Sequence, residues 1–206
     1  ELITGTKPSY FNNSAYHANR PVEQVSYDDI RGATNSISVV DWPGTGVAVL
    51  PTSFVGLLRA KTGLIDFDLP TQAQWECLCR TGTTTYYNDG VAGTPNETSN
   101  DQMDSLGRYK FNGGYLADGV TGPAPGCDAT NGTAAVGSYQ ANAWGVYDTH
   151  GNVWEWCLDW SSGSLAGGYD PAGVVSGSSR VRRGGCWNSL AADCRSAYRG
   201  AIPPST

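Results

Sequence analysis

Residues 142–156 read NAWGVYDTHGNVWEW, and the middle of this stretch carries the oxygen atoms of a candidate cation loop. Asp148 and Glu155 are hard oxygen ligands, and the Gly151-Asn152 turn between them can direct backbone carbonyls inward. Calcium takes about six to eight oxygen ligands, so this pattern fits a calcium site. A plain turn is the alternative, with Asp148 as its cap and Glu155 paired with a nearby arginine. The residues alone leave both interpretations open.

Helix signals lie on the N-terminal side of this stretch. Ser26 can cap a short helix, and a second helix begins near Thr52 or Ser53, with Phe54, Leu57 and Leu58 spaced on one face. That spacing predicts that these three apolar side chains face the core.

A third helix is predicted from the segment 69–76, which reads LPTQAQWE. Thr71 and Gln74 have the spacing of a capping box. Trp75, Leu78 and Cys79 then share the face that we expect to be buried.

Strand signals are few. The runs 21–26, 153–156 and 180–183 are predicted as short strands. Residues 86–145 show no helical or strand period long enough to predict an element. We predict this long segment as loop. Because ordered loops of such length need an anchor, a bound cation is a reasonable expectation.

Composition excludes two classes of partner. The chain has 206 residues, a formal charge of −6 and three lysines, whereas nucleic-acid binding needs dense Lys and Arg. We therefore expect no nucleic-acid partner. No run approaches the ~18 apolar residues of a membrane span, so we expect no membrane-spanning segment in this chain. Any signal or lipid anchor would lie upstream of Glu1.

The residues and motifs of common catalytic sites are scarce in this sequence. His17 and His150 are the two histidines, and no P-loop, dinucleotide or zinc-protease motif occurs. Six cysteines, without the spacing of a zinc site, stand at positions 77, 79, 127, 157, 186 and 194. We interpret them as buried free thiols or as one or two disulfides, with a catalytic thiol or a soft-metal site as the alternative.

Arginines concentrate near the C-terminal end, at positions 180, 182, 183, 195 and 199. They could form a positive ligand surface. The alternative is that they pair with acids that the fold brings near, such as Glu155, Asp159 or Asp170.

Five blocks of sequence, taken in order, resemble the formylglycine-generating enzyme family. They are LPTQAQWE at 69–76, VGS at 136–138, NAWGVYD at 142–148, GNVWEW at 151–156 and RGGCW at 183–187. The resemblance implies one α+β domain over residues 1–206, with a loop-rich C-type lectin-like fold and few short helices and strands. It also implies a structural calcium held by Asp148, Glu155 and the backbone carbonyls of Gly151 and Val153.

Members of that family that oxidise sulfatase cysteines resemble one another in a copper-binding cysteine pair. Cys194 matches the second cysteine, and Ser189 stands where the first would be. One thiolate cannot form the two-coordinate site that Cu(I) favours, so we expect no copper and no oxidase activity. Two alternatives are an enzyme that acts through Cys194, with or without Cys186, and a family member with a structural or regulatory partner.

Residues 180–206 are similar to the variable region of diversity-generating retroelement proteins of the Treponema variable protein kind. The resemblance implies a non-catalytic binding protein, a monomer at the cell surface or outside the cell, whose partner is an unknown protein or cell-surface ligand. We expect the variable positions to be exposed and the framework residues Trp187 and Cys194 to be mostly buried. The variable, ligand-binding positions would be Arg182, Cys186, Asn188, Ser189, Leu190, Ala192, Asp193, Tyr198, Gly200, Ala201 and Ile202.

Overall fold

Short elements joined by irregular segments make up the fold. The computed structural model describes residues 2–32, 49–93, 101–114, 131–164, 167–169, 171 and 173–206. In these ranges the α-helices are α1 (Tyr27–Arg31), α2 (Phe54–Thr62), α3 (Gln72–Arg80) and α4 (Asp101–Leu106). The strands are β1 (Glu155–Trp160), β2 (Arg180–Arg183) and β3 (Gly200–Ile202). This is the loop-rich α+β architecture that the sequence predicts.

The helix starts are those predicted from the caps. Ser26 Oγ accepts a hydrogen bond from the backbone N–H of Asp29 at 3.0 Å, and the Asp29 carboxylate accepts from the Ser26 N–H at 2.9 Å. Thr71 and Gln74 form the same reciprocal pair at the start of α3. Ser53 caps α2. In these three helices a side-chain oxygen therefore accepts from a backbone N–H that has no partner within the first turn.

The buried face of α2 differs from the prediction. Val55 is the buried residue, while Phe54 is 37% exposed and Leu57 and Leu58 are half-buried. The apolar spacing defines a stripe along a helix but not which of its edges meets the neighbouring element. The prediction for α3 is correct for Trp75 and Cys79, and is wrong for Leu78, which is 43% exposed.

An antiparallel sheet in the order β1-β2-β3 lies beside α3. Glu155 pairs with Arg183, and Val181 pairs with Ala201. Strand β2 has the predicted bounds, whereas β1 begins two residues later than predicted and runs on to Trp160. The strand predicted at 21–26 does not form, because Gln24 adopts a left-handed φ of 60° that interrupts extended backbone.

Two buried clusters hold these elements together. One joins α3 to the sheet through Trp75, Cys79, Cys157 and Val181. The other packs the 86–145 segment against the C-terminal region through Tyr87, Met103, Leu106, Tyr109, Ala191 and Cys194. The loop prediction for that segment is therefore partly wrong, since α4 lies within it. This helix is too short to show a period in the sequence.

The five cysteines in the described part of the chain are free thiols, and Cys127 lies outside it. No helix among the described residues has the length and apolar character needed to cross a membrane.

Candidate functional site

The turn at residues 150–152 connects segments that are far apart in the sequence. The Gly151 N–H donates to the Gly184 carbonyl at 2.7 Å, and the Asn152 N–H donates to the Arg108 carbonyl at 2.7 Å. The Asn152 carbonyl in turn accepts from the Trp187 N–H at 2.8 Å. A side chain at Gly151 would collide with the Arg108 carbonyl, and its φ is +75°, so this position requires glycine.

His150 adds a buried side-chain connection to the same turn. It is 1% exposed, and its Nδ1 lies 2.7 Å from the Cys194 carbonyl oxygen. Its Nε2 accepts from the Asn88 backbone N–H at 3.2 Å, which assigns the ring proton to Nδ1. Burial lowers the pKa of His150 to about 4, against the opposing effect of the Cys194 carbonyl. The imidazole is therefore neutral at pH 7.

Two acidic side chains flank this turn, as the sequence indicated. One Asp148 carboxylate oxygen accepts from the Gly137 N–H at 2.7 Å, while the other, Oδ1, is buried and has no hydrogen-bond partner in the described structure. Glu155 accepts from the Trp75 indole N–H at 2.7 Å. Burial raises the pKa of Glu155 to about 7, the indole lowers it, and nearby Asp148 raises it further.

The alternative interpretation of this loop is a plain turn in which Glu155 pairs with an arginine. Glu155 forms no ion pair with an arginine among the described residues. An orphaned carboxylate oxygen near a second, half-buried carboxylate is unfavourable without a compensating positive charge. The donor set therefore fits a hard cation.

The predicted variable positions surround the C-terminal half of β2, the following loop and β3. Asn188 and Ala201 are exposed, and most of the others are half-buried. Ser189 is 8% exposed, so the expectation that it is accessible is wrong. Its hydroxyl is turned inward because it accepts from the Cys186 backbone N–H at 3.0 Å.

The two framework residues behave differently. Cys194 is fully buried, as predicted, and burial raises the pKa of its thiol. Trp187 is less completely buried, with its ring set edge-on against Phe11 at a centroid distance of 5.2 Å. Most of its surface is nevertheless covered, as predicted.

Cys186 belongs to a small polar group at the surface. Its Sγ lies 2.9 Å from Asn188 Oδ1 and 3.3 Å from Ser189 Oγ. Burial raises the pKa of this thiol as well, and the Ser189 hydrogen bond lowers it. Thus Cys186 and Cys194 are both held towards the protonated form, which is the less nucleophilic one.

Among the described residues, the arginines form no ion pair with Glu155 or Asp159, two of the acids that the sequence suggested. Arg183 bonds to Glu76 and lies over the Trp75 ring. Arg180 lies 3.4 Å over the Trp160 ring and donates to the Leu158 carbonyl.

Those acids have other partners. Asp159 accepts from the backbone and the side-chain amide of Gln72, and Glu155 accepts from Trp75. Asp170 lies outside the described residues.

Sequence reasoning missed the aromatic partners of Arg182 and Arg195. Arg182 lies 4.4 Å over the Trp154 ring, and Arg195 lies between the rings of Tyr86 and Tyr198. The spacing of Arg195 and Tyr198, three residues apart, was the one local signal of such a contact. The other partners come from distant parts of the chain.

Residues 4–206 match the family described as "Sulfatase-modifying factor enzyme 1-like domain", and the chain belongs to this family. The formylglycine-generating enzyme of Thermomonospora curvata is 35% identical over 150 residues, which cover 67% of this chain and 45% of that protein. The serine/threonine-protein kinase pkn1 of Chlamydia caviae is 46% identical over 78 residues, covering 32% of this chain and 12% of the kinase. The chain thus spans less than half the length of these relatives.

Solved structures agree on the fold. Treponema denticola variable protein 1 superposes with a TM-score of 0.64 at 24% identity, covering 99% of this chain and 74% of that one. PvdO from Pseudomonas aeruginosa has a TM-score of 0.58 at 22% identity, covering 91% of this chain and 57% of that one. The C-type lectin-like fold and the family resemblance predicted from the sequence are confirmed.

The neutral, buried His150 predicts a loss of stability at mildly acidic pH. Between its ordinary pKa of 6.5 and its folded value of about 4, the unfolded chain binds the extra proton. The free energy of unfolding should therefore fall as pH is lowered through this range, by up to about 3 kcal/mol. Denaturant titrations of the wild type and His150→Gln across this range measure the effect.

The effect of His150 is obtained from the difference in the free energy of unfolding between the wild type and His150→Gln. Glu155, with its pKa raised to about 7, contributes in the opposite direction, and its contribution cancels on subtraction. The His150→Gln variant should be less stable at neutral pH and lose less stability on acidification. Parallel curves for the two proteins would contradict the assignment of a neutral, buried imidazole.

Proposed function

We propose that the protein is a non-catalytic ligand-binding protein that displays a diversified surface, residues 182–202, on its C-type lectin-like scaffold. The partner is a protein or a cell-surface ligand, and the protein acts as a monomer at the cell surface or outside the cell. The family includes enzymes such as the formylglycine-generating enzymes, so an oxidase is the competing proposal.

The observation that carries the proposal is that Ser189 and Cys194 lack the two accessible thiolates of a copper site. By resemblance, these positions correspond to the copper-binding cysteine pair of the oxidising members. Here the Ser189 hydroxyl already accepts a hydrogen bond from the Cys186 backbone N–H. Cys194 is fully buried, and burial raises the pKa of its thiol. A hydroxyl and a buried, protonated thiol make a poor Cu(I) site, which supports a binding role over an oxidase.

The way the variable segment is anchored supports a diversified surface. The turn at 150–152 contacts this segment through the Gly184 carbonyl, the Trp187 amide and the Cys194 carbonyl. These are main-chain atoms, which every non-proline residue presents in the same way. Side chains between the anchors can therefore change while the anchoring bonds persist. Ser189 is the exception, because its side chain satisfies a backbone donor.

A survey of gene copies tests the diversification. If the proposal is correct, copies of this gene should differ chiefly at the eleven variable positions, with Gly185, Trp187 and Cys194 unchanged. A reverse transcriptase gene and a near-identical template repeat should lie beside the gene. Differences spread evenly along the chain, with no such neighbours, would overturn the proposal.

An oxidation assay tests the competing proposal. We expect no copper-dependent oxidation of a sulfatase-type cysteine peptide, because Ser189 cannot replace a thiolate ligand. Peptide mass spectrometry after incubation with Cu(I) and oxygen measures turnover. Ser189→Cys is the informative companion variant, since it restores the spacing of the pair. Turnover by the wild type that is lost in Cys194→Ser but kept in Cys186→Ser would establish an oxidase instead.

We also infer a structural calcium at the turn. Asp148 and Glu155, with the carbonyls of Gly151 and Val153, would hold it. The buried, unpartnered Oδ1 of Asp148 and the raised pKa of Glu155 support the site. The ion would supply the positive charge that these two carboxylates lack, and would stabilise the turn that anchors the variable segment.

Chelation should lower the melting temperature if calcium binds here. Binding to the folded state alone stabilises it by about 2.7 kcal/mol at a hundredfold excess over Kd. Asp148→Ala and Glu155→Ala should remove the difference between melting curves in calcium and in chelator. Asp66→Ala, an exposed carboxylate elsewhere, is the matched control and should retain it. Identical wild-type curves at saturating calcium would refute the site.

A further inference from the structure

Five side chains form a surface on which guanidinium groups and aromatic rings alternate, here called the arginine-aromatic surface. Arg182 lies 4.4 Å over the Trp154 ring, and the rings of Trp154 and Tyr198 are 6.0 Å apart. Arg195 lies 5.9 Å from the Tyr198 ring and 5.8 Å from the Tyr86 ring. Tyr86 is 42% exposed and the other four are half-buried, so the surface is accessible to a ligand.

The two arginines of this surface have unused hydrogen-bonding capacity. Among the described residues, neither Arg182 nor Arg195 forms an ion pair with a carboxylate. Arg195 donates through Nε to the Ala192 carbonyl at 2.6 Å, while the Nε of Arg182 is buried without a partner. Stacking on rings fixes the guanidinium planes but leaves their outer N–H groups available.

The electrostatics of the surface oppose those of the whole chain. Asp193 hydrogen-bonds Tyr198, so one carboxylate of the described residues accompanies the two positive charges of the surface. The chain as a whole carries −6, and the remainder of the molecule is therefore acidic. A long polyanion would meet repulsion beyond this surface within roughly one Debye length, about 8 Å at physiological salt. A short ligand with local negative charge would not.

We propose that the arginine-aromatic surface binds a short acidic peptide segment of a partner protein. Carboxylates of the segment would pair with the outer N–H groups of Arg182 and Arg195, for which the planar guanidinium is well suited. Apolar side chains between them would pack on the Trp154 and Tyr198 rings. This inference rests on the proposed function and names the chemistry of its partner.

The arginine-aromatic surface contains both constant and predicted variable residues. Trp154, Arg195 and Tyr86 lie outside the predicted variable positions, whereas Arg182 and Tyr198 are among them. A constant guanidinium and two constant rings would give every gene copy some affinity for acidic segments. Residues 182 and 198 would then set the strength and sequence preference in each copy.

Short synthetic peptides provide the probe. One peptide carries Asp and Glu on both sides of a Leu-Trp pair, and its analogues carry Asn and Gln, or Lys, at the same positions. Fluorescence anisotropy of the labelled peptides should show that the acidic peptide binds at least about tenfold more tightly than the neutral one, a difference of roughly 1.4 kcal/mol. The lysine analogue should not bind, and added salt should weaken binding of the acidic peptide.

Variants locate the binding on the surface. Arg182→Gln and Arg195→Gln should each lower the affinity by about tenfold, and Arg→Lys at either site by less, because Lys keeps the charge but not the planar fork. Lys61→Gln removes the same charge from an exposed site outside the surface and is the matched control. Circular dichroism and melting curves confirm that each variant is folded.

Each outcome bears on the inference separately from the proposed function. Equal binding of the acidic and neutral peptides, no binding of the acidic peptide at low millimolar concentration, or equal losses in Lys61→Gln and the arginine variants would overturn it. Tighter binding of a single-stranded oligonucleotide than of the acidic peptide would also overturn it, in favour of a phosphate ligand. In any of these cases, variation confined to the predicted positions would leave the proposed function intact.

Discussion

The turn at 150–152 is the constraint on which the rest of this structure depends. A fold with a small sheet and long irregular segments has few regular ladders in which to satisfy buried backbone groups, and each unsatisfied group is destabilising. Here the turn performs that task, because its backbone and the His150 ring bond to segments near residues 88, 108, 184, 187 and 194. The absence of a side chain at Gly151 lets the Arg108 carbonyl approach, and the left-handed φ of Asn152 completes the reversal.

The same turn explains why carboxylates collect around it. Asp148 also adopts a left-handed φ, of 59°, and its side chain bonds to the Gly137 amide. Glu155 is carried inward at the start of β1, where the Trp75 indole of α3 meets it. Both carboxylates are thus fixed by neighbours that are neutral, and neither gains a compensating charge from the described residues. A cation at this place would stabilise the turn and, through it, every segment that the turn connects.

Local signals in the sequence were sufficient for the helix starts, for β2 and for the inward positions of Trp75 and Cys79, because caps and short periodicities involve neighbouring residues. The family blocks were sufficient for the fold. The buried Val55, the inward Ser189 and the helix α4 were not predictable in this way. Each depends on which distant segment lies alongside, and no local pattern encodes that choice.

The partners of the arginines show the same limit most clearly. Counting charges in the sequence suggested ion pairs with Glu155 and Asp159, yet these acids are held by the Trp75 indole and by Gln72. Arg180 then lies over the Trp160 ring and donates to a carbonyl, and Arg183 pairs with Glu76. Arg182 and Arg195 are left with aromatic neighbours, which orient a guanidinium without neutralising it. Two arginines of an acidic chain thereby remain without a carboxylate partner among the described residues, because the acids that the sequence suggested are held by other groups.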